Sequence, residues 1–148
     1  MKEYKSLSQE IKLKVEKKEF NQVRIASSID ANDYARNFYF DDIDIYESVF
    51  IILMNRKQNT IGYAKISQGG VNMCGVDVRL ICKYAIEALA SGVILVHNHP
   101  SGNHKPSDFD NDLTKKIRES LKILGLQLLD HIIITSEDYY SYADNGKL

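Results

Sequence analysis

The stretch VILVHNHPSGNHKPSDFD, residues 93–110, contains signals for three different local structures. It opens with four apolar residues rich in β-branched side chains, which predict a buried strand. The segment PSGNHKP that follows is rich in residues that form turns. Ser107 is then a good helix N-cap, with the acidic residue Asp110 three positions later. The stretch therefore predicts a strand, a turn and a helix in succession, which is a unit of an α/β fold.

The segments on either side predict further helices and strands. In chain order the predicted elements are a helix from Asp30, its cap, to about Tyr39, two antiparallel central strands at residues 47–55 and 61–67, a helix at residues 78–90 stopped by Ser91 and Gly92, a strand at residues 93–96, a helix from Ser107 to about Leu124 with Gly125 as its left-handed stop, a strand at residues 128–135 and an edge strand at residues 139–144. This order predicts a single-domain α/β sandwich, in which helices flank one mixed β-sheet.

Length and composition support one domain. The chain has 148 residues, of which 44% are hydrophobic, and this is enough apolar material for one ordinary core. Residues 1–22 are rich in Lys and Glu, and we expect them to form a partly mobile N-terminal extension. The domain is predicted to cover residues 23–148.

The charge balance and the apolar runs argue against several classes of partner. Lys and Arg number 19 against 20 Asp and Glu, so the net charge of -1 provides no global field that attracts nucleic acid or an anionic membrane. A local basic patch stays open. No apolar run is long enough to span a bilayer, and the first residues lack the apolar core of a signal peptide. We therefore expect a cytoplasmic protein without a membrane partner. Cys74 and Cys82 lack CxxC spacing and are predicted to be ordinary reduced thiols.

Two histidines end the predicted strand at residues 93–96. Residues i and i+2 of a strand point to the same side, so the imidazoles of His97 and His99 can reach one point. A catalytic zinc site takes three protein ligands and keeps one open position. The turn returns the chain to the helix start, where Asp110 is within reach as a third ligand. Ordinary helix capping by Ser107 and Asp110 is an alternative that is compatible with this role.

These residues also carry a family resemblance. The spacing of His97, His99, Ser107 and Asp110 resembles the JAMM motif of the MPN-type metallohydrolases, and the segment HNHPSG, followed by PS and then D, is similar to bacterial RadC proteins. The segments VDVR, DHIII and YYSYADNG also resemble RadC proteins. The resemblance covers residues 23–148 and implies the cytidine deaminase-like α-β-α sandwich of MPN domains.

The resemblance implies a role for each site residue. It implies that His97, His99 and Asp110 bind one zinc ion per chain, and that Glu47 is the general base. Ser107 corresponds to the serine that donates to the developing oxyanion. The implied reaction is hydrolysis of an amide or isopeptide bond by a zinc-activated water. Without the resemblance, Glu47 reads as a solvated member of the acidic run DDIDIYE.

The sequence departs from the family pattern in two places. Asp77 precedes Val78 and Arg79, whereas many RadC proteins have a proline ahead of the arginine. This difference is outside the site. Many full-length RadC proteins also carry an N-terminal helix-hairpin-helix region associated with DNA, and residues 1–22 are too short for one. The DNA repair role implied by the family name is weakened accordingly.

Several alternatives stay open. The chain is either a hydrolase of an unknown peptide or isopeptide, or a non-catalytic zinc-containing module for interaction or DNA association; a zinc-dependent nuclease would need a basic groove. His104 reads as a solvated loop residue and His131 as a satisfied buried histidine. Tyrosines 139, 140 and 142 could stack on bases, although core and edge packing is the preferred interpretation. The oligomeric state is open, since the strand at 139–144 could pair with a second copy.

Overall fold

A computed structural model describes residues 21–39, 42–69 and 75–148. Residues 1–20, most of the predicted N-terminal extension, lie outside these ranges, and so does the prediction that they are mobile. Cys74 also lies outside them. Cys82 is a free thiol. The elements are α1 Ser28–Ala35, β1 Ser48–Met54, β2 Thr60–Gln68, α2 Val78–Glu87, β3 Gly92–Asn98, α3 Asp108–Ile123, β4 Gln127–Ile134 and β5 Tyr139–Ser141. None of the helices in the described ranges has the length and apolarity needed to cross a membrane.

The five strands form one mixed sheet in the order β2-β1-β3-β4-β5. Strand β1 is antiparallel to both of its neighbours, β3 and β4 are parallel, and β5 is antiparallel to β4. Helix α3 makes the crossover that a parallel pair requires. The predicted single-domain α/β fold with a mixed sheet flanked by helices is confirmed.

Apolar residues fill the space on both faces of the sheet. All seven residues of β1 are buried, because a strand covered on both sides places alternate side chains in two different cores. Phe50 and Ile52 pack on the α1 side, whereas Val49 and Ile51 pack on the side of α2 and α3. Each fully buried side chain of this kind contributes about 1.5–3 kcal/mol relative to exposure. The central strands are therefore firmly held, and so are the residues at their ends.

Three details of the predicted elements are wrong. The cap of α1 is Ser27, and Asp30 is the third helical residue, whose carboxylate accepts from the Ser27 N–H in a capping box. This helix ends at Ala35, before Tyr39. Among the described strands β2 pairs only with β1, so that it is an edge strand and not a central one.

Helix α2 also ends earlier than predicted, at Glu87. Leu89 adopts the left-handed region with φ of 51°, and the Ala90 N–H donates to the Ala85 carbonyl at 3.0 Å. This is the hydrogen bond of a Schellman motif, which usually has glycine at the left-handed position. Because a leucine takes that position here, the sequence gives no stop signal before Ser91 and Gly92. Gly125, with φ of 72°, ends α3 as predicted.

Candidate metal centre

Three elements bring the predicted site residues to one edge of the sheet. His97 is near the end of β3 and pairs with Val49 of the antiparallel strand β1, two residues after Glu47. His99 follows β3 directly, and its backbone N–H donates to the Ile134 carbonyl at 3.0 Å. Helix α3 begins next to this edge and carries Asp110 in its first turn. The register of β1 against β3 is what brings Glu47 to the histidines.

The three predicted metal ligands converge on one point. The Nε2 atoms of His97 and His99 lie 2.9 Å apart. Asp110 Oδ1 is 3.2 Å from Nε2 of His97, and Asp110 Oδ2 is 3.3 Å from Nε2 of His99. Zinc ligands that are about 2.0–2.1 Å from the metal in a tetrahedron lie about 3.3 Å from one another. The two imidazole nitrogens and the Asp110 carboxylate, which meets each nitrogen with a different oxygen, therefore lie at separations close to those of ligands around one zinc ion.

The hydrogen bond of His99 shows which of its nitrogens is free to bind a metal. Nδ1 of His99 lies 2.7 Å from the Asn103 carbonyl oxygen. A carbonyl only accepts, so Nδ1 carries the proton and Nε2 of the neutral ring keeps its lone pair. That lone pair faces the Asp110 carboxylate and the second imidazole. An arrangement of this kind needs a cation between its members, either a proton or a metal ion.

The pKa values of the cluster follow from the same contacts. Burial disfavours the charge on His99, but hydrogen bonds to Asp110 and to the Asn103 carbonyl more than compensate, so its pKa is raised above 6.5. Burial also disfavours ionised Asp110, yet its contacts with His97 and His99, together with the hydrogen bond from the Ser107 N–H, hold the pKa of this carboxyl well below its usual range. Asp110 is therefore a permanent carboxylate, as a metal ligand must be.

Ser107 and Asp110 form a reciprocal capping box at the start of α3. The Ser107 N–H donates to Asp110 Oδ2 at 2.8 Å, and the Asp110 N–H donates to Ser107 Oγ at 3.1 Å. Asp110 therefore takes part in capping α3 and also lies next to both histidines. In the part of the chain that the structure describes, the Ser107 hydroxyl accepts this bond and is not found to donate one. Ser107 is exposed, so solvent can accept from its hydroxyl.

Glu47 is half-buried beside the two histidines. Its carboxylate and one nitrogen each of His97 and His99 lie within 4.8 Å of one another. This separation suits either a further metal contact or a base that reaches a water next to the metal.

Asn98 holds the segment around Glu47 against the end of β3, and sequence reasoning missed this residue. Its Oδ1 accepts from the Ser48 N–H at 2.7 Å, and its Nδ2 donates to the Tyr46 and Ile43 carbonyls at 2.7 and 2.6 Å. Asn98 lies between the two histidines in sequence, so its side chain points to the opposite face of the strand. Asn98 could have been noticed in the sequence, because an asparagine at a buried position of a strand needs hydrogen-bond partners.

His131 is completely buried on β4 and touches the site. Its Nε2 is 2.7 Å from Nδ1 of His97, and its Nδ1 is 2.6 Å from the Thr114 hydroxyl. The Tyr142 ring stacks on it, with centroids 4.7 Å apart and planes 6° from parallel. Burial keeps the pKa of His131 well below 6.5. The expected satisfied buried histidine is confirmed, but its contact with His97 was not predicted.

Two other residues that the sequence analysis considered, His104 and Tyr142, do not contact His97, His99 or Asp110 in the hydrogen bonds and ion pairs of the described residues. Nδ1 of His104 is 3.5 Å from the Asp138 carboxylate, and both side chains are at least partly exposed. Tyr142 is buried, and its hydroxyl donates to Asn111 Oδ1 at 2.9 Å. This ring is therefore unavailable for stacking on a base. Its packing agrees with the preferred core interpretation.

Comparisons with known proteins match most of the chain. The family model described as RadC-like JAB domain matches residues 25–147. A UPF0758 protein of Flavobacterium johnsoniae is 44% identical over 101 residues, which are 68% of this chain and 44% of the relative. The UPF0758 protein of Porphyromonas gingivalis is 42% identical over 103 residues, 69% of this chain and 45% of the relative. The UPF0758 protein of Thermotoga maritima is 34% identical over 125 residues, which are 84% of this chain and 55% of the relative. The chain spans about half the length of these curated relatives, whose names state no activity.

Proposed function

Since the chain belongs to the RadC-like JAB domain family, we propose that it is a JAMM-type hydrolase that uses zinc to cleave an amide or isopeptide bond. Family membership confirms the resemblance carried by the segment HNHPSG. The observation that carries the proposal is the convergence of His97, His99 and Asp110, whose ligand atoms lie 2.9–3.3 Å apart.

Each site residue has a task in this reaction. His97, His99 and Asp110 hold the metal, which supplies Lewis acidity and lowers the pKa of a water when it is bound. The Glu47 carboxylate takes a proton from the attacking water and later donates it to the leaving amine nitrogen. The Ser107 O–H donates to the carbonyl oxygen as negative charge develops on it. The C–N bond breaks, the carbonyl carbon gains the water oxygen, and the amine gains a proton.

The second candidate is a non-catalytic zinc module, in which the site stabilises the fold. Structural zinc sites are usually closed by four protein ligands. Among the described residues, the cluster has His97, His99 and Asp110 in mutual contact, and Glu47 is the fourth metal-binding side chain nearby. If the fourth coordination position of the metal is open and the Glu47 carboxylate lies beside it, the enzyme is favoured. A carboxylate that binds the metal directly would favour the module.

The experiment separates these candidates with one variant. Protein purified without added metal is analysed for zinc and is then screened against peptide, isopeptide and DNA substrates, with Glu47→Gln as the blank. We expect close to one zinc per chain in both proteins, and zinc-dependent release of an amine only with the wild type. Zinc lost in Glu47→Gln would identify Glu47 as a ligand and support the module. Equal turnover by both proteins would rule out the base role.

A further inference from the structure

A chain of buried hydrogen bonds connects two of the proposed ligands behind the metal centre. It begins at the backbone carbonyl of Asp110, 2.6 Å from the Thr114 hydroxyl. The same hydroxyl is 2.6 Å from Nδ1 of His131, and Nε2 of His131 is 2.7 Å from Nδ1 of His97. All four residues are at most 3% exposed. Water therefore does not compete for these groups.

The direction of donation along this chain is fixed at its first member. A backbone carbonyl has no proton, so the Thr114 hydroxyl donates to Asp110. A hydroxyl has one hydrogen, and the Thr114 oxygen is left as an acceptor toward His131. Nδ1 of His131 must then carry the proton that completes this bond. The opposite arrangement would place the lone pairs of two oxygens 2.6 Å apart with no hydrogen between them.

The same logic continues into the metal centre. The ring of His131 is 0% exposed, and full burial disfavours its charged form, so the ring carries one proton and its Nε2 accepts from Nδ1 of His97. We propose that Thr114 and His131 are positioning residues, which hold His97 with its proton on Nδ1 and its Nε2 lone pair toward His99 and Asp110. The inference rests on the proposed function, because it concerns the same metal centre. The stacked ring of Tyr142 fixes the plane of His131.

This arrangement gives the two ligand histidines the same tautomer by different means. The carbonyl of Asn103 fixes the exposed side of His99, whereas His97 lies deeper and receives its partner from β4. A group that accepts a hydrogen bond from the second nitrogen of a metal-binding imidazole orients the ring and raises its basicity. Loss of such a group costs about 10–100-fold in metal affinity. Thr114 does not touch the metal-binding nitrogens, so its effect reaches the site through His131 and through the Asp110 carbonyl.

A matched pair of variants at Thr114 tests the inference with zinc alone. Thr114→Val keeps the shape and removes the hydroxyl, whereas Thr114→Ser keeps the hydroxyl. We expect the zinc dissociation constant, measured by competition with a chelator, to rise about 10–100-fold in Thr114→Val. Thr114→Ser should stay within about threefold of the wild type, because its oxygen can make both bonds. Equal zinc affinity of Thr114→Val and wild type would overturn the inference.

A second measurement reads the tautomer of His131 directly and needs no variant. Long-range proton–nitrogen NMR correlations of the metal-free wild type should show the proton of His131 on Nδ1 and a lone pair on Nε2. A proton on Nε2 would reverse the chain and overturn the inference, whether or not the protein binds zinc. If the wild type binds no zinc, the proposed function fails, and the tautomer alone decides the inference.

Discussion

The side-chain oxygen of Asn98 accepts the backbone N–H of Ser48 at 2.7 Å, across 50 residues of sequence. The same side chain donates to the Tyr46 carbonyl at 2.7 Å, so its hydrogen bonds flank Glu47 on both sides. Asn98 lies between the two ligand histidines in the sequence. One buried amide therefore sets the position of the proposed base relative to the metal centre.

Asn98→Asp should lower the rate of hydrolysis and leave zinc bound. The carboxylate can still accept from Ser48, but it repels the carbonyls of Ile43 and Tyr46, to which the amide donates. A displacement of a reacting group by about 1 Å can cost about 100-fold, and we expect a fall in kcat of about that size. Steady-state kinetics and zinc analysis measure the two effects. Unchanged kcat in a folded, zinc-containing variant would contradict the positioning role.

Asp110→Asn should lose zinc and keep the fold. The amide has the same size, and its oxygen can still accept from the Ser107 N–H, so the helix cap is retained. The negative charge that faces His97 and His99 is lost. We expect zinc affinity to fall by more than about 100-fold, the upper limit for loss of an outer partner. Metal analysis after dialysis measures this, and circular dichroism checks the fold. Full zinc content would remove Asp110 from the ligand set.

Sequence reasoning could predict the parts of the site that depend on local geometry. The shared direction of His97 and His99 follows from the two-residue repeat of a strand. The cap formed by Ser107 and Asp110 follows from the orphan N–H groups of the first helical turn. Both signals lie within a few residues of one another. The family resemblance added Glu47, which no local rule could bring to the histidines.

The residues that the sequence did not reveal act through sheet register. His131 meets His97 only because β3 and β4 are parallel neighbours, and Thr114 meets His131 because α3 covers that pair. A single sequence contains no signal for such pairings. The edge position of β2 escaped for the same reason, since strand order is a property of the whole sheet. The early end of α2 escaped because Leu89 takes a conformation usually given to glycine.

The stability of the metal-free protein should fall as the pH rises through the titration of His99. The pKa of His99 is raised in the folded protein: burial opposes the charge, but the hydrogen bonds to Asp110 and Asn103 outweigh it. A raised pKa stabilises the fold fully below the unfolded-state value of about 6.5, and this contribution is lost as the pH rises through the folded-state value.

Zinc should reverse this dependence, because it must displace the proton from His99 before it binds. Thermal unfolding at a series of pH values, with and without zinc, measures both effects. We expect Tm of the metal-free protein to decline above about pH 6.5, and the increment in Tm due to zinc to grow with pH. His99→Asn should flatten the curve of the metal-free protein. A decline of the same size in His99→Asn would assign the effect to another group.

Substitutions of Ser107 should separate its two roles, capping and donation to the oxyanion. The Ser107 oxygen accepts from the Asp110 N–H, so Ser107→Ala should cost about 0.5–2 kcal/mol of stability, whereas Ser107→Gly should cost only a few tenths. Both variants lack the hydroxyl. If the O–H stabilises the oxyanion, both should lose about 100- to 1000-fold in kcat.

Ser107→Thr completes the comparison, because it keeps both the cap and a hydroxyl, and it should retain more activity than Ser107→Ala or Ser107→Gly. Denaturant unfolding gives the stabilities, and the wild-type rate on the substrate found by the screen gives the reference for kcat. Loss of activity in proportion to loss of stability across the three variants would reduce Ser107 to a cap. A catalytically impaired but stable Ser107→Gly is the result that the oxyanion role requires, since a helix start tolerates glycine and a developing negative charge does not tolerate a missing donor.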